Sequence, residues 1–127
     1  MTGNEYKGFA MRTNDNKSSK RISKCVKNLE YQGFCDVGEV IHACFGLSGE
    51  VGELNDMVKK WIFHEKQLDK DHAKKEVGDI LWYIALICNA FGWSLDDVMQ
   101  CNVNKLKARY PDGFDTNRAN NRPPEDV

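Results

Sequence analysis

Between residues 36 and 63 apolar side chains recur at steps of three and four: Val37, Val40, Ile41, Cys44, Leu47, Val51, Leu54, Val58 and Ile62. That spacing puts them on one stripe and predicts a helix from about Asp36 to Phe63. Glycines interrupt it between Gly46 and Gly52. Each costs about 1 kcal/mol relative to Ala in a helix interior, so close packing against another helix or a ligand is expected there. A second helix is predicted from about His72 to Phe91, with Val77, Ile80, Leu81, Ile84, Ile87, Cys88 and Phe91 as its main stripe. Gly92 ends it. Ser94 opens a third helix, running to about Arg109, with the capping-box-like Ser-Leu-Asp-Asp and Asp97 at the third helical position. Tyr110-Pro111-Asp112-Gly113 stops that helix. The weaker segments read as a short helix over Asn4 to Met11, a loop or mobile stretch over Thr13 to Ser23, and a polar connection over His64 to Asp71. From Thr116 onward the chain is polar, contains Pro123-Pro124, and reads as a loose tail. No segment alternates as a strand does. The expected fold class is all-α, an antiparallel helix bundle, with a domain over 1–115 and a tail over 116–127.

The 72–91 helix changes this picture in one respect. Trp82, Tyr83, Leu86 and Ala90 lie off its main stripe, so it is apolar nearly all round. Such a helix is buried on several sides, and a chain of 127 residues has few helices to cover it. A homo-oligomer, at least a dimer, is therefore expected, with Trp82, Leu86 and Ala90 pointing away from the stripe.

Charge narrows the partners. The chain holds 18 Lys and Arg against 19 Asp and Glu, a net charge of −1, which gives no reason to expect nucleic acid or an anionic membrane surface. No apolar run is long enough to span a bilayer, and no charged start followed by an apolar stretch marks a signal peptide. Residues up to Asn28 are locally basic, which reads as a solvated surface. Five cysteines, Cys25, Cys35, Cys44, Cys88 and Cys101, include no Cys-x-x-Cys pair. They read as small hydrophobes in a reducing cytoplasm.

The chemistry sits in two short motifs: Glu50-Val51-Gly52-Glu53 on the first strong helix and Glu76-Val77-Gly78-Asp79 on the second. Each puts two carboxylates at i and i+3 on one helix face, about 5–6 Å apart at Cβ. Each pair flanks its own apolar stripe, so two antiparallel helices packed along those stripes bring all four acids together. Converging anions are stable only with a compensating cation or raised pKa values. All-oxygen ligation suits Mg²⁺, or Mn²⁺, rather than zinc. A single Glu-x-x-Glu is commonly a solvated face with lysine partners. Here Glu50, Glu53 and Glu76 have no Lys or Arg three or four residues away; Lys75 stands four residues before Asp79. The glycine between each pair of acids leaves room for a neighbouring helix or a substrate.

Three stretches resemble the MazG-like nucleoside triphosphate pyrophosphohydrolases: Gly46 to Leu54, Lys75 to Tyr83, and Asn102 to Phe114. The family's signature is Glu-x-x-Glu, a spacer, then Glu-x-x-Asp. The opening Asn4 to Thr13 is similar to the first helix of its small, phage-like members. The resemblance implies an all-α pyrophosphohydrolase fold in which Glu50, Glu53, Glu76 and Asp79 bind Mg²⁺ and grip a nucleoside or deoxynucleoside triphosphate. Water then attacks the α-phosphorus, leaving a monophosphate and pyrophosphate. One carboxylate orients or deprotonates that water, and Glu53 is taken for this role. Asn102, Lys105 and Arg109 match the family's Asn-x-x-Lys-Leu region and share one helix face. They are either phosphate contacts or an ordinary basic surface. Lys59 and Lys60 are equal candidates for the phosphates. Tyr83, one turn after Asp79, meets the nucleoside or belongs to the core, and Trp61 lines a base pocket or simply packs. His42, His64 and His72 show no metal spacing and read as surface or core residues. Two other readings stay open: a narrow-specificity dUTP, dCTP or phosphoribosyl-ATP pyrophosphohydrolase, and a non-catalytic helical interaction module.

Overall fold

Carboxylates start the two long helices. Asp36 accepts a hydrogen bond from the Glu39 N–H and Asp69 from the His72 N–H, each at 3.0 Å, which satisfies a donor that a helix start leaves free. Because Asp69 takes this role, the second long helix begins at Lys70, two residues before the expected start. The computed structural model describes residues 1–126. In order they form α1 (Gly3–Ala10), a 3-10 turn (Met11–Thr13), α2 (Ser18–Tyr31), α3 (Val37–Phe63), α4 (Lys70–Phe91), α5 (Leu95–Arg109) and α6 (Thr116–Asn120). There is no β-strand among the described residues, so the all-α reading holds.

The centre of the fold is the antiparallel hairpin of α3 and α4. Its open end is pinned twice. The Asp36 N–H donates to the Ala90 carbonyl at 3.0 Å, and Asn89 Nδ2 donates to the Glu39 carboxylate at 2.9 Å. Gly92 ends α4 with φ +68°, and the Trp93 N–H then reaches back to the Cys88 carbonyl at 2.9 Å.

The seam between α3 and α4 follows part of each expected stripe. On α3 the less exposed residues are Val37, Glu39, Val40, Ala43, Gly46, Leu47, Glu50, Leu54, Asp56, Met57 and Lys60. Ile41, Cys44, Val51, Val58 and Ile62, all in the expected stripe, are exposed. On α4 Glu76, Cys88 and Ala90 are buried and Ile80, Ile84, Ile87 and Phe91 half-buried, while Val77 and Leu81 are exposed. Ala90 therefore faces inward rather than away, and Leu86 is half-buried, whereas Trp82 is exposed as expected. Small residues explain the choice. At Gly46 an added Cβ would lie 2.1 Å from Tyr83 Cε1, so only glycine admits the tyrosine ring. Glu50 and Glu76 lie on this seam, whereas Ile41, Val51, Val58, Ile62, Val77 and Leu81 lie outside it.

Two expectations are corrected. The stretch read as a loop over Thr13 to Ser23 mostly joins α2. Ile22, Val26 and Leu29 form a thin i, i+4, i+7 stripe hidden among lysines and serines, and α2 packs on α3. Only the turn before it is irregular, and there Asp15 pairs with Arg21. Ser94 occupies the N-cap of α5, but its hydroxyl makes no bond to the helix, so no capping box forms. Asp96 and Asp97 favour that helix end through the dipole instead. Asp115 caps α6, and Asp126 receives both Nε and Nη2 of Arg109, at 2.8 and 2.6 Å. No single helix among the described residues is long and apolar enough to cross a membrane.

Candidate metal and nucleotide site

Glu50 comes from the middle of α3, Glu76 and Asp79 from the first half of α4. One carboxylate oxygen from each lies within 4.8 Å of the other two. Glu53 stands one turn further along α3, exposed, outside this trio. The structure thus brings three of the four expected ligands together and leaves the fourth at the edge. The trio straddles the α3–α4 seam, which is why sequence-distant acids meet.

Electrostatics mark this as an anionic site. Partial burial, then repulsion from Glu53, Asp79 and Glu76, pushes the Glu50 carboxyl above its ordinary pKa. Glu76 is 6% exposed. Its Oε1 lies 2.8 Å from His72 Nε2, one turn earlier on α4. Its Oε2 is buried with no hydrogen-bond partner. A buried acceptor without a donor costs about 1–3 kcal/mol, more when charged, so the arrangement favours a cation against Oε2. The donors are all carboxylate oxygens, which fits a hard divalent ion such as Mg²⁺ or Mn²⁺.

Beside the trio, toward the connection between the helices, lies a cavity of about 520 Å³. Glu53 and Glu76 form its acidic side, Gly49 and Gly52 its α3 floor, and Met57 and Leu68 its apolar wall. Glu65, with φ +53°, turns the chain so that Lys66 and Gln67 join the lining. The glycines within the acidic motifs, Gly52 and Gly78, meet nothing within 4 Å of where a Cβ would stand. They serve no packing contact inside this chain.

The other candidates are distributed unevenly. Lys59 and Lys60 both pair with Asp56, at 3.0 and 2.6 Å. The two ammonium groups hold the Asp56 carboxyl down to about 2. Lys60 lines the cavity and Lys59 does not. Tyr83 is half-buried against Gly46 and packs edge-on against His42 and Trp82, at ring separations of 5.7 and 5.0 Å. Trp61 is exposed. Asn102, Lys105 and Arg109 sit on α5, which leaves α4 at 101°. Within one chain α5 does not pack along the hairpin, so these three do not approach the acids. Arg109 is instead engaged by Asp126. Reading the sequence missed His72 as the group that holds Glu76; the i, i+4 spacing was its only signal. It also missed Met57, Gln67 and Leu68, whose meeting depends on how the connection folds.

No solved structure matches this chain significantly. "Gene 37 protein" of Mycobacterium phage L5 is 36% identical over 96 residues, covering 71% of this chain and 83% of the phage protein. The "Uncharacterized protein YvdC" of Bacillus subtilis (strain 168) is 29% identical over 90 residues, covering 64% of this chain and 84% of its own length. The family model of the MazG nucleotide pyrophosphohydrolase domain matches residues 37–114, which contain α3, α4, α5 and all four acids. On that match, this chain belongs to the MazG nucleotide pyrophosphohydrolase domain family.

Proposed function

We propose that this chain hydrolyses a nucleoside or deoxynucleoside triphosphate to a monophosphate and pyrophosphate. The observation that carries the reading is the trio Glu50, Glu76 and Asp79 around the unpartnered Glu76 Oε2. A non-catalytic helical module has no use for three acids on its seam. Glu50, Glu76 and Asp79 would hold Mg²⁺ or Mn²⁺, with Glu53 able to join them from the adjacent turn. The bound ion supplies Lewis acidity and offsets phosphate charge.

The chain's own groups do the rest. His72 fixes the Glu76 carboxylate through Oε1 and leaves Oε2 for ligation. Glu53, outside the trio, accepts a proton from the water that attacks the α-phosphorus. The bond from the α-phosphorus to the bridging oxygen breaks, and pyrophosphate leaves with that oxygen. Cleavage at the α-phosphorus rests on family membership, since carboxylate spacing alone does not choose between phosphoanhydride bonds. Lys60 and Lys59, held by Asp56, face the phosphates as point charges. Exposed Val77, Leu81 and Trp82 support assembly with a second copy of the chain. In such an assembly Asn102, Lys105 and Arg109 of α5 serve the phosphates and Tyr83 stays in the core. A cytoplasmic location accords with five cysteines, none of them in a disulfide.

The test is a panel of nucleoside triphosphates with Mg²⁺, with products resolved by chromatography. Monophosphate and pyrophosphate are expected, from several nucleotides or from one if specificity is narrow. A diphosphate product, or full turnover in excess chelator, would refute the reading. Glu50→Gln, Glu53→Gln, Glu76→Gln and Asp79→Asn should each lower kcat/KM by about a hundredfold or more with helicity by circular dichroism intact.

A further inference from the structure

We infer that residues 121–126 form an internal plug: they hold the Asp126 carboxylate in an anion site on α5 that a phosphate group takes when the segment is displaced. The site and its plug stand on contacts within this chain; only the source of the phosphate rests on the pyrophosphohydrolase reading above. The segment lies outside residues 37–114, which the family model matches.

Three observations carry the inference. The first is geometry. Arg109 gives both Nε and Nη2 to one carboxylate, at 2.8 and 2.6 Å, and the two side chains are only 12% and 19% exposed. This two-pronged pairing suits two oxygens of a phosphate as well as those of a carboxylate. The same fork is closed to a phosphate until Asp126 leaves it.

The second is charge. The pair borders a cavity of about 370 Å³ whose lining includes Lys105, Arg109, Arg118, Glu125 and Asp126. The three cations come from α5 and α6, and both carboxylates come from the segment. Arg109, and more weakly Arg122 and Lys105, hold the Asp126 carboxyl below its ordinary value against the opposing effect of partial burial. With the segment withdrawn, Lys105, Arg109 and Arg118 are left without a carboxylate in that lining. Cations gathered in this way attract an anion that carries more than one charge.

The third is how lightly the segment is held. Pro123 and Pro124 restrict its backbone, and the Asp126 N–H donates to the Pro123 carbonyl at 2.9 Å, a turn that fixes the carboxylate's position. Among the described residues, the Arg109–Asp126 pair supplies the only hydrogen bonds from 116–126 to any residue before Asp115. α6 contains no buried residue. Apolar packing would resist an incoming anion. A segment fixed by one carboxylate is open to exchange with it.

The experiment titrates inorganic pyrophosphate into the full chain by calorimetry, with chelator present so that no metal bridges the anion to the acids of α3 and α4. Asp126→Asn should bind it about tenfold more tightly than the parent, because the site is then open most of the time. Asp126→Glu, which keeps the charge, should bind like the parent, and Asp126→Asn combined with Arg109→Gln should lose the gain. In the parent, saturating pyrophosphate should lower hydrogen-exchange protection over 116–126, which a purely structural ion pair would not allow. Equal affinity in the parent and Asp126→Asn, or protection that pyrophosphate leaves unchanged, would overturn the plug. Turnover with Mg²⁺ then separates two sources of the phosphate. If the site takes the substrate's phosphates, KM for the triphosphate falls in Asp126→Asn by a similar factor. If it takes free pyrophosphate, KM stays and inhibition by pyrophosphate tightens. A protein that hydrolyses no triphosphate but shows the calorimetric difference loses the catalytic reading and keeps the plug.

Discussion

Leu81→Glu tests whether the bare face of α4 is an interface. The reasoning begins with area. A compact monomer of 14.5 kDa exposes about 6,900 Å², and this chain exposes 10566 Å². The excess, roughly 3,700 Å², is several times the approximately 800 Å² that each partner buries in an ordinary interface. Much of it is aliphatic and aromatic: Leu81 and Trp82 are each 56% exposed, beside Val77. Fully burying a leucine is worth about 1.5–3 kcal/mol. The half of Leu81 still in water thus has about 1 kcal/mol to contribute per chain, or about 2 kcal/mol across a two-fold contact. Replacing it with Glu forfeits that and adds the cost of desolvating a carboxylate. Dimer affinity should fall about thirtyfold at least, read by sedimentation velocity over a wide concentration range. Leu86, half-buried within its own chain, would confound folding with assembly, and Leu81 would not. A parent protein that sediments as a fully active monomer at every concentration would refute the reasoning, as would an assembly that Leu81→Glu leaves intact.

Further outcomes are expected elsewhere in the chain. Arg109 holds the Asp126 carboxyl below the ordinary 3.8. A depressed carboxylate stabilises the fold above its unfolded pKa, and that contribution is lost as pH falls through the lower, folded value. Hydrogen-exchange protection over 116–126 should therefore fall once pH drops below about 4, and Asp126→Asn should reproduce the loss at neutral pH; equal protection in parent and variant would count against the latch. Gly92 has φ +68°, so Gly92→Ala should cost about 1 kcal/mol and lower Tm by roughly 4 °C. An unchanged melt would mean that α4 does not need the left-handed cap.

Periodicity alone located α3, α4 and α5 to within two residues, because long amphipathic repeats and capping carboxylates act through the local backbone and need no tertiary partner. It overlooked α2, whose apolar stripe is only Ile22, Val26 and Leu29 amid polar neighbours and is stabilised by packing on α3. The two acid-glycine-acid motifs were likewise legible, since i, i+3 spacing fixes which side chains share a face. Their meeting was not. It depends on a helix–helix seam in which the small residues Ala43, Gly46 and Ala90 lie among half-buried Leu47, Leu54, Ile80 and Ile84. Steric fit shapes that seam: only glycine at position 46 leaves room for the Tyr83 ring between α3 and α4. Glu53 stands at the rim and Val77 and Leu81 are exposed, while the bond from Glu76 to His72 is local to α4. A helical wheel carries the angular position of each side chain but not the depth to which two helices approach, and that depth is what separates a ligand from a neighbour here.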